Sequence, residues 1–238
     1  VTSIAALVPI RNRLDGKRRL SAEFHPSDRR VLIESMARHV VTTLLRSRVV
    51  SRVMVISRDP DFIDDVLPDV VDVALIYQPE HAPGLNAGLE LGRQWALARG
   101  VSRLLVLSGD LPLLVEDDVR ELGNRSSPIV LASDRSGRGT NGLVLNQHRA
   151  PGVNLITRFP FQFGTDSLSK HADEGARLGV PVELVLTRGT GHDLDTPEDW
   201  KALDPDTRQR LLPHDPLTER AWADIPHIAV PLAAMECS

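Results

Sequence analysis

Asp110 stands in the run Ser108-Gly109-Asp110-Leu111-Pro112, directly after an aliphatic stretch at 104–108. A carboxylate at the tip of a buried strand overlooks the crevice where open α/β sheets bind ligands. Magnesium held there takes one or two carboxylates and fills its other positions with phosphate oxygens and water. The competing reading of Asp110 is a turn or helix-capping residue ahead of Pro112. A second acidic group is His192-Asp193-Leu194-Asp195-Thr196-Pro197-Glu198-Asp199, again between a strand and a helix. Asp195 or Thr196 serves there as an N-cap, with Pro197 at the first helical position. Asp193 and Asp195 alternate as in an extended segment, so they point to one side and one of them can complete a metal site. Asp195 is the first choice and Asp193 the second.

The cations such chemistry needs lie early in the chain. Positions 11–19, Arg11-Asn-Arg13-Leu-Asp-Gly16-Lys17-Arg18-Arg19, hold five basic residues and one glycine. Arginine offers paired contacts to phosphate oxygens and lysine a compact charge. Gly16 lets the backbone come close to a ligand. The plain alternative is a solvated basic turn. The loop does not fit G-x-x-x-x-G-K-[ST], which excludes a P-loop.

Gly137-Arg-Gly139-Thr140-Asn141-Gly142 satisfies G-x-G-x-x-G, yet Leu-Val-Leu-Asn follows it. That is a strand, whereas a dinucleotide fingerprint must open a helix. The better reading is a turn presenting Thr140, Asn141 and backbone N–H groups to an anion. Phe163-Gly164-Thr165-Asp166-Ser167 opens a helix whose unpaired N–H groups suit phosphate or carboxylate, and Ser167 adds a hydroxyl. Asp166 opposes an anion there unless it turns away. His171, one turn on, either faces the same site or is structural.

These residues must be positioned by the elements between them. Strand patterns fall at 4–10, 52–57, 71–77, 104–108, 129–133, 142–146 and 182–187. Helical patterns fall at 27–46, 84–98, 115–122, 165–178 and 196–203. Ser27 or Asp28 caps the first of these. Gly88 and Gly92, four apart, let one helix sit close to a neighbour. The alternation predicts an α/β fold with a mostly parallel central sheet and helices on both faces. A single domain is expected over 1–203, followed by an irregular, proline-containing tail at 204–238 that wraps the domain or serves a homodimer contact.

Composition narrows the class. The chain has 238 residues, 42% apolar and 25% charged, with a formal charge of −4. That is a globular balance and not a polycation built for nucleic acid. No stretch approaches the ~18 apolar residues of a membrane span. The run at 4–10 is short, contains Pro9 and lacks a charged flank, so it does not read as a signal peptide. The single cysteine, Cys237, excludes a disulfide scaffold and fits a reducing, cytoplasmic setting.

Taken in order, the motifs resemble a known family. Pro9, Arg11, Lys17 and Arg19-Leu20 are followed by Gly84-Leu85-Asn86-Ala87 and Gly109-Asp110-Leu111-Pro112. Gly139-Thr140-Asn141, Phe163-Gly164-x-x-Ser167 with His171, and Asp193 through Asp199 complete the set. From about residue 4 to 200 this is similar to the phospholactate and phosphoenolpyruvate guanylyltransferases of deazaflavin coenzyme F-420 biosynthesis. The resemblance implies a GT-A-like, Rossmann-type nucleotidyltransferase fold. It implies GTP and a small phosphorylated carboxylic acid as substrates, with pyrophosphate released. It places the acid on Thr140, Gly164 and Ser167 and magnesium on Asp110 and Asp195. Arg11, Lys17 and Arg19 would then steady the departing pyrophosphate, and Gly84, Asn86 and Gly109 would frame the nucleotide.

Two departures bear on the acid. Arg11 stands where the family usually has lysine, and the segment at 153–160 looks longer than usual beside the expected acid pocket. Phosphoenolpyruvate, 2-phospho-L-lactate and 3-phosphoglycerate all remain open at this point. Rival readings are a molybdopterin guanylyl- or cytidylyltransferase, a sugar transferase using Asp193-x-Asp195, and a non-catalytic nucleotide-binding module.

Overall fold

The computed structural model describes residues 4–10, 16–150 and 152–213, apart from the side chain of His148. Arg11, Arg13 and the segment 214–238 lie outside the described residues. The strands are β1 Ile4–Pro9, β2 Val50–Ser57, β3 Val73–Tyr77, β4 Arg103–Leu107, β5 Ile129–Ser133, β6 Thr140–Asn146 and β7 Val182–Val185. The helices are α1 Pro26–Arg46, α2 Phe62–Val66, α3 Leu85–Leu97, α4 Glu116–Asn124 and α5 Leu155–Arg158. They continue with α6 Ser167–Leu178, α7 Arg188–Gly191, α8 Pro197–Lys201 and α9 Pro205–Leu211.

The strands form one seven-stranded sheet in the order β3-β2-β1-β4-β6-β5-β7. β1 pairs in parallel with β2 and β4, β2 with β3, and β5 with β7. β6 runs antiparallel to both β4 and β5. The Gly-rich turn at 134–139 explains the reversal: it joins β5 and β6 as a hairpin, with Asp134 N donating to Gly139 O at 3.1 Å. Because β1 has β2 on one side and β4 on the other, the winding changes direction there. The loops leaving β1 and β4 therefore open a crevice between them.

The apolar run of β1 is buried on both faces, and its alternation divides the core. Ile4, Ala6 and Val8 pack with α1, α2 and α4, while Ala5 and Leu7 pack with α3 and α5. The glycine pair on α3 has the expected use. A Cβ at Gly92 would lie 2.8 Å from Leu7 Cδ2, and one at Gly88 would lie 2.8 Å from Gln78 Oε1. A third apolar cluster joins Leu20, Phe24, Leu32 and Met36 to Leu194, Trp200 and α9. Phe24 meets Trp200 edge to face at 5.5 Å. This small core draws the first loop and the late acidic segment together.

Several boundaries differ from the sequence expectation for identifiable reasons. The first long helix begins at Pro26 with His25 as N-cap, and Asp28 accepts the His25 N–H at 3.1 Å. Pro26 belongs at N1, where no N–H is required. β3 starts at Val73 because Asp72 has φ 61°, and Val71 before it is 77% exposed. The expected irregular tail is helical at Pro205–Leu211, where Asp204 caps by accepting Thr207 N at 2.9 Å.

Gly92→Val is expected to destabilise the fold by about 1–3 kcal/mol, the usual range for overpacking. The modest helix-propensity gain of replacing glycine is smaller. A lowered midpoint in chemical denaturation checks this, and an unchanged midpoint would mean that α3 does not rest on Leu7.

Candidate active site

Segments distant in sequence meet where β1 and β4 end, and Lys17 is at their junction. Its backbone is left-handed, with φ 54° and ψ 42°, a state that costs a non-glycine residue about 1–3 kcal/mol. The side chain is 4% exposed. Its Nζ donates to Asp110 Oδ2 at 2.5 Å and to Asp195 Oδ1 at 2.9 Å. Burial alone would pull this ammonium's pKa down, but the carboxylates of Asp110 and Asp195 outweigh it and hold the group above the ordinary lysine value.

Each carboxylate has its own support. Ser108 Oγ donates to Asp110 Oδ1 at 2.7 Å. Leu194 N donates to Asp110 O at 3.1 Å, which lays the 193–195 segment over the end of β4. The choice of N-cap is resolved in favour of Thr196, whose Oγ1 accepts from Asp199 N at 3.3 Å. Asp199 in turn accepts from Asp195 N at 3.0 Å and Thr196 N at 2.8 Å. The Asp195 carboxylate is thereby released from capping and reaches Lys17. Leu194 is fully buried in the third apolar cluster. Asp193 has its carboxyl pushed up by burial and then by the charges of Asp110 and Asp195, so the acids share one electrostatic neighbourhood.

Lys17 and Asp110 open onto a cavity of about 500 Å³ that is also lined by Gly16, Arg58, Gln78 and Gly84. Arg58 and Gln78 were not foreseen. They follow β2 and β3 directly, and the rule that ligands sit beyond strand ends points to both. Gln78 Nε2 donates to Gly84 O at 2.8 Å, and Gly84 takes φ 90°, a conformation that suits glycine. Arg19 lies at the rim, 76% exposed, with Nη1 3.7 Å from Asp195 Oδ2. Gly109 lines the cavity, but the room beside it is taken: a Cβ there would be 2.4 Å from Ile10 Cδ1. Its smallness lets the ends of β1 and β4 close up.

A second cluster contains Thr140, Ser167 and His171, all buried. Thr140 N donates to Ser167 Oγ at 2.9 Å, and Thr140 Oγ1 lies 3.0 Å from His171 Nδ1. Gly164 beside them has φ 126° and open space where a Cβ would stand. Asp166 has turned away, accepting Arg138 Nε at 2.8 Å.

Other expected site residues are bonded within the protein. His171 is fully buried with both ring nitrogens engaged, one facing Thr140 Oγ1 and the other Gln162 N. Asn86, expected to frame the nucleotide, has its amide on the Phe163 backbone, donating to Phe163 O at 3.1 Å and accepting from Phe163 N at 3.0 Å. Asn141 donates to Thr190 O at 2.9 Å and to Asp193 Oδ1 at 3.4 Å, so it braces the site. The first N–H groups of α6 are also spent, Ser167 N on Gly164 O and Leu168 N on Arg138 O. The Asn141–Asp193 contact links the two clusters, and the Asn86–Phe163 contacts tie the second to α3.

The sheet order, the crevice and the lysine–aspartate cluster define an α/β protein of nucleotidyltransferase type. Solved structures of that fold include a nucleotidyl transferase from Methanothermobacter thermautotrophicus, with TM-score 0.60 and 15% identity over 87% of this chain and 98% of that one. Another is 4-diphosphocytidyl-2C-methyl-D-erythritol synthase from Anaerococcus prevotii, with TM-score 0.56 and 14% identity over 83% and 94%. Residues 4–203 match the family described as Guanylyl transferase CofC like, and the chain belongs to that family. Its relatives include the phosphoenolpyruvate guanylyltransferases of Rubrobacter xylanophilus, 36% identical over 85% of this chain and 94% of that one, and of Sphaerobacter thermophilus, 34% identical over 83% and 91%. The 2-phospho-L-lactate guanylyltransferase of Methanothermobacter thermautotrophicus is 31% identical over 82% and 81%. The chain is therefore a nucleotidyltransferase enzyme of the guanylyltransferase kind.

The raised Asp193 pKa has a consequence for stability. A carboxyl that binds its proton more tightly in the folded state contributes stability at low pH and loses it as pH rises through the folded value. In metal-free buffer, Asp193→Asn is expected to raise the denaturation midpoint at pH 7. The gain should vanish as pH falls below the ordinary aspartate value of 3.8. A gain of equal size at acid and neutral pH would show that the effect is not electrostatic.

Proposed function

We propose that this chain joins GMP from GTP to the phosphate of phosphoenolpyruvate, releasing pyrophosphate, as a cytoplasmic step of coenzyme F-420 biosynthesis. The observation that carries the reading is Lys17, held between Asp110 and Asp195 at the mouth of the cavity. Family membership and the names of the relatives support the nucleotide and the acid. Several of those relatives, at 30–36% identity, are named for phosphoenolpyruvate. No helix among the described residues is long and apolar enough to cross a membrane.

The donor set suits magnesium. Among the described residues no three acidic or histidine side chains gather tightly enough to hold a metal unaided. Asp110 and Asp195 together carry more negative charge than the single ammonium of Lys17 cancels, and Asp193 beside them has its carboxyl pushed up first by burial and then by their charges. One or two carboxylates plus phosphate oxygens is the usual magnesium arrangement. Asp110 and Asp195 would hold the ion, with Asp193 as the reserve ligand. When bound, magnesium supplies charge neutralisation at the α-phosphate.

In the transfer itself, a phosphate oxygen of the acid forms a bond to the α-phosphorus of GTP. The bond from that phosphorus to the β-phosphate bridging oxygen breaks, and pyrophosphate leaves with the electron pair. The acid's phosphate is already ionised near neutral pH, so no side chain is required as a base. Lys17 and Arg19 stabilise the leaving pyrophosphate, and Arg11 is assigned the same role from the sequence. Thr140, Gly164 and Ser167 receive the acid. Catalysis is then alignment and charge stabilisation.

Pyrophosphate release should be fastest with GTP, magnesium and phosphoenolpyruvate, and slower with 2-phospho-L-lactate or 3-phosphoglycerate. Preference for another acid reassigns the substrate. GTP binding with no release for any acid would favour a non-catalytic module. Asp110→Ala is expected to lower kcat by about 100-fold or more with the fold retained. Equal rates in variant and parent would remove Asp110 from the chemistry.

A further inference from the structure

His171 is buried inside a cluster that the reading above assigns to the acid, and its ring is enclosed by protein. Its bonds determine which groups of that cluster remain available. Gln162 N donates to His171 Nε2 at 3.0 Å. A backbone N–H only donates, so Nε2 carries no proton. The neutral ring must then be protonated on Nδ1. Nδ1 faces Thr140 Oγ1 at 3.0 Å, so the ring donates and the threonine oxygen accepts. Ser167 Oγ likewise accepts from Thr140 N at 2.9 Å. Each hydroxyl has received a bond and retains its own O–H to give. An adjacent pair of hydroxyls committed as donors suits a partner that only accepts, such as a carboxylate or ionised phosphate.

The ring's orientation is itself fixed from α3. Asn86 grips Phe163 through both its N–H and C=O, and Phe163 is the neighbour of Gln162. Two turns further along α3, Arg93 donates to Phe159 O at 2.7 Å and lies 4.3 Å from the centre of the Phe161 ring. Phe159 and Phe163 flank the imidazole at 5.8 Å and 4.8 Å. Burial in this apolar cage, with Lys170 adding a smaller push, lowers the His171 pKa to about 4, so the ring stays neutral at working pH.

We propose that His171 is a positioning residue: its Nδ1–H commits the Thr140 hydroxyl to donate to the anionic acceptor substrate, and Asn86 holds the ring in that register through Phe163 and Gln162. The assignment of that substrate to Thr140 rests on the reading under Proposed function. The Asn86 grip is a structural tie between α3 and the acid cluster.

The test compares variants that mimic one ring nitrogen each. His171→Asn can place its amide N–H near the Nδ1 position and Thr140, whereas the longer His171→Gln places its amide near Nε2, where its carbonyl can accept from Gln162 N and no group is left facing Thr140 Oγ1. His171→Gln is expected to raise the KM for phosphoenolpyruvate by about 10-fold or more, the scale of one hydrogen bond to a charged group. The KM for GTP should stay unchanged, and His171→Asn should restore most of the loss. In a Thr140→Val background His171→Gln should add nothing, since its effect runs through the lost hydroxyl. Equal changes in both KM values, or multiplying effects of the two substitutions, would overturn the proposal and leave the guanylyl transfer standing. A parent enzyme that neither binds nor consumes any phosphoacid would overturn both.

A second measurement reads the rings directly. Nitrogen NMR of ¹⁵N-histidine-labelled parent protein, with the His39 and His171 signals assigned by single substitution, should show that each of these rings remains neutral to about pH 4. His39 Nδ1 accepts from Arg210 Nη1 at 2.9 Å, so that ring carries its proton on Nε2. The other ring should be the Nδ1–H tautomer. Two Nε2–H rings would overturn the proposal.

Discussion

A buried ammonium shared by two carboxylates organises this molecule. Removing Lys17 from water costs several kcal/mol, and the pairing with Asp110 and Asp195 does little more than recover that cost. The ion pair is thus a weak source of stability. What it provides is a cation fixed at the end of β1 and two anions fixed opposite it, before any ligand arrives. The electrostatic excess lies on the acidic side, because Asp110 and Asp195 together carry more negative charge than the single ammonium of Lys17 cancels. A site with that imbalance is suited to a divalent cation.

The scaffold spends its apolar residues on keeping this arrangement in place. The two large core layers fasten β1 and β4 side by side, which fixes the height of Lys17 relative to Asp110. The smaller cluster around Leu20, Phe24 and Trp200 fastens the late acidic segment to the first loop. Leu194 is part of that cluster, so burial of one leucine positions the aspartates on either side of it. Thr196 takes over the capping of α8 and leaves Asp195 free. Local helix chemistry and the site are in this way coupled through single residues.

The fold class was legible because β1, β4 and β5 are continuous aliphatic runs, and a strand buried on both faces leaves no other pattern. The glycine spacing on α3 and the strand after Gly142 were equally readable. The site was legible in outline: carboxylates and basic residues at strand ends follow from the topology alone. What escaped was the division of labour. Asn86, Asn141 and His171 are polar residues beside a site, and composition does not show that their hydrogen bonds are already spent on the protein. The space at Gly109 is filled by Ile10, just past the end of β1, which no local window contains. α9 was hidden because prolines read as breaks, although Pro205 is at a first helical turn where proline is welcome.

Lys17 and Asp195 stand 178 positions apart. During synthesis the ribosome must deliver nearly all of the described chain before the ammonium can meet its second carboxylate. A nascent chain that has reached only β4 lacks Asp195, Leu194 and Trp200, and with them the second carboxylate and part of the third apolar cluster. Completion of the binding rim is therefore a late event in the life of each molecule, set by translation and not by the speed of sheet formation.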